Sequence, residues 1–264
     1  MISEAPVETC NQFVFLAFPR RPGWKPKGEQ PGQVLCTRPS GRGKMKLAAS
    51  NNSLLCFSFN LLWSAAMNHR AAGLTHFGMQ HDDIIPPLEW VDILVDDLEA
   101  SSADVISSVV PIKDDRGITS TGVRNWLTGE IRRLTMHEVF QLPETFTIED
   151  VHAAGIKANP NGNPADEYLI VNTGLWVCRF DRPWAKKFPG FRTQDQVRID
   201  ADGRCEAVSL SEDWLFSEWA ARNGLKVLAT RKAALGHWQD GKEYRNDRVW
   251  GTCDTDPGEV VKVT

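Results

Sequence analysis

The chain has 264 residues, 42% hydrophobic and 24% charged, proportions of a folded globular protein that exclude a disordered tail or a low-complexity fibre. Thirty Lys and Arg against 34 Asp and Glu leave a net charge of −4, which excludes a uniformly basic nucleic-acid coat while permitting a local basic patch. No apolar run reaches the roughly 18 residues of a membrane span, no Cys-x-x-Cys pair exists, and the first apolar stretch stops at Pro19, too soon for a signal peptide. One cytoplasmic domain over residues 1–264, with reduced thiols, is the expectation.

In chain order, residues 12–18 (QFVFLAF) read as a first buried strand. Residues 20–46 follow, a Pro/Gly-rich arm with eight Lys or Arg and one acid, Glu29, suited either to a solvated linker or to a polyanion. Phe59, Leu62, Trp63, Ala66 and Met67 recur at helical spacing and predict a helix over 59–70. Residues 75–80 form a short strand that breaks at His81-Asp82-Asp83. Pro86-Pro87 open a second helix, with Val91, Leu94, Val95 and Leu98 as its buried face. A strand over 104–111 runs into the polar turn 113–117.

Residues 118–168 carry no clear period, and 155–166 (GIKANPNGNPAD) predict a mobile loop. A strand over 168–177 is broken by Asn172-Thr173-Gly174. Ser211 caps a helix through Trp214, Leu215, Trp219 and Ala220 to Gly224, and 225–230 form a last strand before the turn Gly236-His237-Trp238. This alternation predicts an α/β protein with a mostly parallel central sheet flanked by helices.

The chemistry-bearing residues stand at element ends. His81-Asp82-Asp83 follows a buried strand, on the edge where open α/β sheets bind ligands, and adjacent carboxylates there call for a counter-charge such as a divalent cation carrying phosphates. The same pair could serve only as a solvated helix cap. Glu212 and Asp213 lie in the first turn of a helix, where the macrodipole favours their charged form. His237, in a turn past the last strand, suits either a metal ligand or an ordinary surface position.

The segments FVFLAFP, SLLCFSFNLLW, FGMQHDDIIP, VVPIKDDRGITSTG, LIVNTGLW, SEDWLF and ALGHW occur in an order that resembles the GT-A glycosyltransferases, family-2-like enzymes, and most of all the compact ones of phage genomes that glucosylate 5-hydroxymethylcytosine in DNA. The resemblance spans about residues 12–238. It implies a GT-A nucleotide-sugar-binding fold, a UDP-sugar such as UDP-glucose as donor, and Mn²⁺ or Mg²⁺ held by Asp83 and His237. His81 and Asp82 would lie near the ribose or sugar, with His at the first position where the family's Asp-x-Asp signature has Asp. Asp213, with Glu212 beside it, matches the base that activates the acceptor. Ser120, Thr121, Asn172 and Gly174 match loops lining donor sugar and acceptor, and Pro19, Asn52 and Asn60 match positions that hold the nucleotide.

A divalent cation at Asp83 and His237 would stabilise charge on the departing diphosphate, while a carboxylate on the opposite side takes the acceptor proton, describing an inverting displacement. For a DNA acceptor, Arg38, Arg42 and Lys44 of the arm are the candidate phosphate contacts, and the 155–166 loop would close over an extruded base or over the donor. The competing expectations are a transferase acting on a surface polysaccharide or small molecule, and a non-catalytic nucleotide-sugar-binding module.

Overall fold

Among the described residues, seven strands make the central sheet. The computed structural model describes residues 12–20, 38–39, 41–199 and 202–256. Its first part runs β1 (Phe13–Arg20), β2 (Lys44–Asn51), α1 (Leu55–His69), β3 (His76–Gln80), β4 (Ile84–Ile85), α2 (Trp90–Ser101) and β5 (Val105–Ser108). The middle holds β6 (Ile118–Asn125), β7 (Ile131–Thr135), α3 (Met136–Val139), β8 (Thr145–Phe146), α4 (Ile148–Ala153), β9 (Glu167–Ile170) and β10 (Leu175–Arg179). The last part adds β11 (Gln194–Ile199), β12 (Cys205–Leu210), α5 (Glu212–Arg222), β13 (Val227–Thr230), β14 (Gly236–Gln239) and β15 (Lys242–Arg245).

Side-chain alternation along β1 explains its unbroken apolar run. Val14, Leu16 and Phe18 enter a core with Trp90, Leu94 and Leu98 of α2, while Phe15 and Ala17 enter a second core with Phe59, Leu62 and Trp63 of α1 and Phe216 of α5. Most of the tryptophan surface goes into packing: Trp63, Trp90 and Trp176 are buried, and Trp63 packs edge-on against Phe77, Phe180 and Phe188. A third core, including Val123, Leu169 and Ala229, joins the small sheet β7-β6-β9 to the far side of the central one.

The central order is β2-β1-β3-β10-β5-β13-β8. Strands β2, β1, β3, β5 and β13 run one way, but β10 lies reversed between β3 and β5, and β8 is reversed at the edge. The sheet is therefore mixed rather than mostly parallel. Strand β10 arrives from β9 of the small sheet through Asn172-Thr173-Gly174 and so enters the central sheet at the carboxyl end of β3, where Leu175 pairs with Gln80.

Three other expectations change. Pro86 and Pro87 precede α2 instead of opening it, because a proline disfavours helical backbone in the residue before it; the helix starts at Trp90 after a turn closed by Trp90 N–H on the Pro87 carbonyl (3.2 Å). Residues 155–166 fold into side-chain-closed turns, with Asn159 and Asn163 oxygens accepting from Asn161 and Ala165 N–H (3.0 and 3.1 Å). That segment feeds the amino end of β9, a strand's length from Asn172, so it does not cover the edge where His81–Asp83 lie. His237 belongs to a strand, β14, paired with β4 and β15, rather than to a turn. Among the described residues no helix is long and apolar enough to cross a membrane.

Candidate functional site

All five like-directed strands point their carboxyl ends at one edge, and the crevice forms there. Gln80 ends β3, His81 N–H donates to the Gly174 carbonyl (2.8 Å), and Ile84 N–H closes a turn on the His81 carbonyl (3.3 Å). Pairing of β4 with β14 then sets Asp83 beside His237, and Trp238 N–H donates to the Asp83 carbonyl (2.8 Å).

The Asp83 carboxylate has two unlike oxygens. Oδ2 takes the Lys113 ammonium and lies 3.5 Å from His237 Nε2; Oδ1 is buried with no hydrogen-bond partner among the described residues. His237 Nδ1 is 2.7 Å from the Pro111 carbonyl, which can only accept, so Nδ1 carries a proton and Nε2 is the ring nitrogen that faces Asp83. Burial alone would raise the Asp83 carboxyl. The hydrogen bond and charge of His237, with the Lys113 charge, outweigh it and hold the group well below the usual carboxylate range.

A second acidic centre faces the first across the Asn172–Gly174 turn. Asn172 Oδ1 accepts Gly174 N–H (2.5 Å), its Nδ2 donates to Asp213 Oδ2 (3.4 Å), and its carbonyl accepts the Ser107 hydroxyl (2.5 Å). A Cβ on Gly174 would lie 2.5 Å from Asn172 Oδ1 and 2.6 Å from Ile84 Cδ1, so close approach is what this glycine provides. Asp213 Oδ1 accepts from the Ser211 hydroxyl and from Trp214 N–H (2.9 Å), while the Arg133 guanidinium lies 5.1 Å over the Trp214 ring. Burial raises the Asp213 carboxyl despite those donors. Burial, then the Asp213 charge, pushes Glu212 up to about 7, and its carboxylate makes no hydrogen bond among the described residues.

The structure thus brings together His81, Asp82, Asp83, Asn172, Gly174, Glu212, Asp213 and His237. Pro19 closes β1 on the same edge, and Asn52 stands between β2 and α1, its Oδ1 accepting Leu54 N–H (2.9 Å). Ser120 is anchored near it by its N–H on the Val110 carbonyl (2.9 Å). Thr121 is wholly buried and does not line the crevice. Asn60 does not hold nucleotide: its amide clamps the Phe191 backbone, donating to the carbonyl (2.8 Å) and accepting the N–H (2.7 Å).

The arm residues go elsewhere as well. Arg38 is almost fully buried, with Nε on Asp92 (2.7 Å) and the other arm of its fork on Gln12 (2.7 Å). Arg42 pairs with Asp96 one turn further along α2, and Lys44 opens β2 beside Phe13, at the edge opposite the crevice. Of the arm's other basic residues, Arg20 ends β1, Lys46 Nζ lies 2.6 Å from His69 Nε2, and Arg21, Lys25 and Lys27 lie outside the described residues.

Sequence reasoning passed over Lys113 and Pro111, although both stand in the VVPIKDDRG segment immediately after a buried strand. A cavity of about 610 Å³, lined by Trp126, Tyr168, Leu225 and Val227, opens at the amino ends of β9 and β13, away from these carboxylates.

Among the described residues no group of three or more His, Cys, Asp or Glu is set to hold a metal ion. Asp83 and His237 alone still fit one whose other ligands come from a diphosphate: Asp83 Oδ2 and His237 Nε2 lie 3.5 Å apart, an oxygen and a nitrogen donor on one side of the pair, and the Pro111 carbonyl, by holding Nδ1–H, leaves Nε2 as the ligating nitrogen.

No protein-family model matches the chain, and no curated protein sequence does. Among solved structures it is similar to A197 from STIV, at 12% identity over 96% of this chain and 98% of that one, with a TM-score of 0.47. It is also similar to the uridine diphosphate N-acetylglucosamine pyrophosphorylase of Trypanosoma brucei, at 12% identity, a TM-score of 0.28, and coverage of 63% of this chain and 32% of that one. A nucleoside-diphosphate-sugar pyrophosphorylase of Vibrio cholerae gives 14% identity, a TM-score of 0.28, and coverage of 72% and 62%. Likenesses this distant carry no argument about function.

Proposed function

We propose that the chain is a GT-A-type glycosyltransferase that moves a sugar from a nucleotide-diphosphate sugar to an acceptor hydroxyl with inversion. One observation carries the reading: a single crevice holds two carboxylate centres in opposite electrostatic states, joined by hydrogen bonds through Asn172, Gly174 and His81. Groups whose environments drive their ionisation apart are the mark of divided acid–base work.

Asp83 and His237 are the residues that would hold Mn²⁺ or Mg²⁺, which when bound supplies Lewis-acid stabilisation of the diphosphate's charge. Asp83 stays ionised at any working pH and so keeps its negative charge at the donor end. Glu212 and Asp213 stand at the other end to receive the acceptor proton. The acceptor oxygen bonds to the anomeric carbon, the bond from that carbon to the diphosphate breaks, the proton passes to the carboxylate, and the nucleoside diphosphate leaves with the electron pair. Gly174 and Asn172 keep the two ends in register.

A 5-hydroxymethylcytosine acceptor draws no support from Arg38, Arg42 or Lys44, whose places are taken up in the fold. The test is UDP release from UDP-glucose with Mn²⁺, offered hydroxymethylated DNA, an oligosaccharide, or no acceptor. Release that is lost in Asp83→Asn supports the reading. UDP binding by calorimetry with no turnover of UDP-sugars or other nucleotide sugars would instead identify a binding module, and absence of both would refute nucleotide-sugar chemistry.

A further inference from the structure

Lys113 has no part in the steps above, yet it occupies the position they depend on. Its segment is held rigidly from behind. Ile112 N–H donates to the Ile118 carbonyl (2.8 Å), and Thr252 and Cys253 N–H donate to the Asp115 and Arg116 carbonyls (both 3.1 Å). Gly117 and Gly251 pack so closely that a Cβ on either would strike the backbone of the other's strand of chain. The backbone at Lys113 is therefore a fixed platform, and what can swing is the four-carbon side chain.

The ammonium rests on Asp83 Oδ2, the same oxygen that His237 Nε2 approaches to 3.5 Å. Among the described residues Asp83 is the only partner of Lys113. The other carboxylate oxygen, Oδ1, is buried, so the contested oxygen is Oδ2, which the Lys113 ammonium holds and His237 Nε2 faces. A divalent cation bound there and the Lys113 ammonium cannot share Oδ2, because two positive charges at ligand distances repel strongly in a site that is about four-fifths enclosed. One must yield. An ammonium released from Asp83 on a platform beside the crevice finds its next anion in the diphosphate that accompanies the cation.

We propose that Lys113 is a donor-phosphate ligand whose ammonium serves as the resting counter-charge of Asp83 until cation and diphosphate arrive together. This rests on the metal and donor placement argued above. It makes cation and nucleotide binding cooperative: a cation alone must displace Lys113 with nothing to offer it, whereas a cation with diphosphate gives Lys113 a new partner.

The test measures binding, not turnover, on the full chain. Free Mn²⁺ is followed by electron paramagnetic resonance, and UDP affinity in saturating Mn²⁺ by calorimetry, for wild type, Lys113→Met and Asp83→Asn. Lys113→Met should bind Mn²⁺ alone roughly tenfold tighter or more and bind UDP roughly tenfold more weakly, so the coupling between the two shrinks. Lys113→Gln repeats the measurement if the Met variant does not fold. Unchanged Mn²⁺ affinity in both variants, or unchanged UDP affinity, overturns the proposal. The controls separate the two readings. If Asp83→Asn loses Mn²⁺ while the Lys113 variants bind as wild type, Lys113 alone is misassigned. If Asp83→Asn binds Mn²⁺ as wild type does, the metal placement falls and this proposal with it.

Discussion

Gly174→Ala is the sharpest perturbation of the crevice, because the glycine is required by space and not by backbone angle. Gly174 is absent from the positive-φ residues, so alanine meets no torsional penalty there. Its Cβ would instead lie 2.5 Å from Asn172 Oδ1 and 2.6 Å from Ile84 Cδ1, with His81 Nδ1 at 3.5 Å. Real Cβ contacts do not come that close, so Asn172 and Ile84 must both move. Overpacking of this kind costs about 1–3 kcal/mol. Ile84→Val deletes the Cδ1 atom and by itself costs about 0.5–1.5 kcal/mol for the methyl it removes. The vacated space receives part of the alanine, so the double variant should be more stable than the sum of the singles by about 0.5 kcal/mol or more. Urea unfolding with a common slope reads all three numbers. The reasoning fails if Gly174→Ala costs less than about 0.5 kcal/mol, or if the two changes simply add.

Three other outcomes follow from the same geometry. Arg38→Met leaves the buried Asp92 with only the Arg42 guanidinium at 3.9 Å and should cost up to about 3–5 kcal/mol in unfolding experiments, with no change in salt-dependent affinity for duplex DNA measured by fluorescence anisotropy; a DNA-binding arm would show the reverse. Asn60→Ala strands the Phe191 N–H and carbonyl and should cost about 2–4 kcal/mol while leaving UDP affinity untouched by calorimetry. Glu212 has its folded pKa raised to about 7 against roughly 4.3 unfolded, so its contribution to stability is full below about pH 4.3 and is lost as pH rises through 7. Glu212→Gln should therefore flatten the decline of Tm between pH 5 and 8, and a parallel decline in wild type and variant would dismiss the effect.

What could be read in the sequence was what short-range pattern encodes. The unbroken apolar run of β1 and the 3.6-residue stripe of α1 are both present, since burial on both faces and on one face leave different periodicities, though α1 begins at Leu55, four residues before the expected start. Residues 118–168 resisted because α3 and α4 are 4 and 6 residues long, too short to show a period. Their visible signals were the capping boxes Thr135/Glu138 and Thr147/Asp150. Strand direction has no local signature, which is why the reversal of β10 was missed. The charges of the arm were misassigned for the same reason: Arg38 and Arg42 meet Asp92 and Asp96 across 54 residues, two pairs in matching four-residue steps that only the fold aligns. Within the site, the acidic residues were legible because they end strands and helices. Which polar residue of Lys113-Asp114-Asp115-Arg116 turns inward was not, because it depends on the pairing of Pro111 with Thr119.

On the proposed reading, the surroundings of Glu212 and Asp213 favour Glu212 as the base, the reverse of the order that the resemblance suggests. Asp213 is bonded at both oxygens, by Ser211 and Trp214 on one and Asn172 on the other, so its charge already holds the helix start and the Asn172–Gly174 turn. Three of its roughly four acceptor sites are thus taken up by the protein. Glu212, one residue earlier, is turned about 100° around the helix, partly exposed, and free of hydrogen bonds among the described residues. With its pKa at about 7 it can take a proton and release it near neutrality, which is what a general base must do once in each turnover. Glu212→Gln should then lower kcat by about 10²-fold or more at unchanged UDP affinity, and abolish the acid limb of the pH–rate profile. Asp213→Asn keeps the shape and most donors, so its effect should be smaller in kcat and should appear in stability as well. A pH profile whose acid limb survives Glu212→Gln and vanishes in Asp213→Asn would return the base to Asp213 and leave Glu212 as a buried neighbour that merely shifts it.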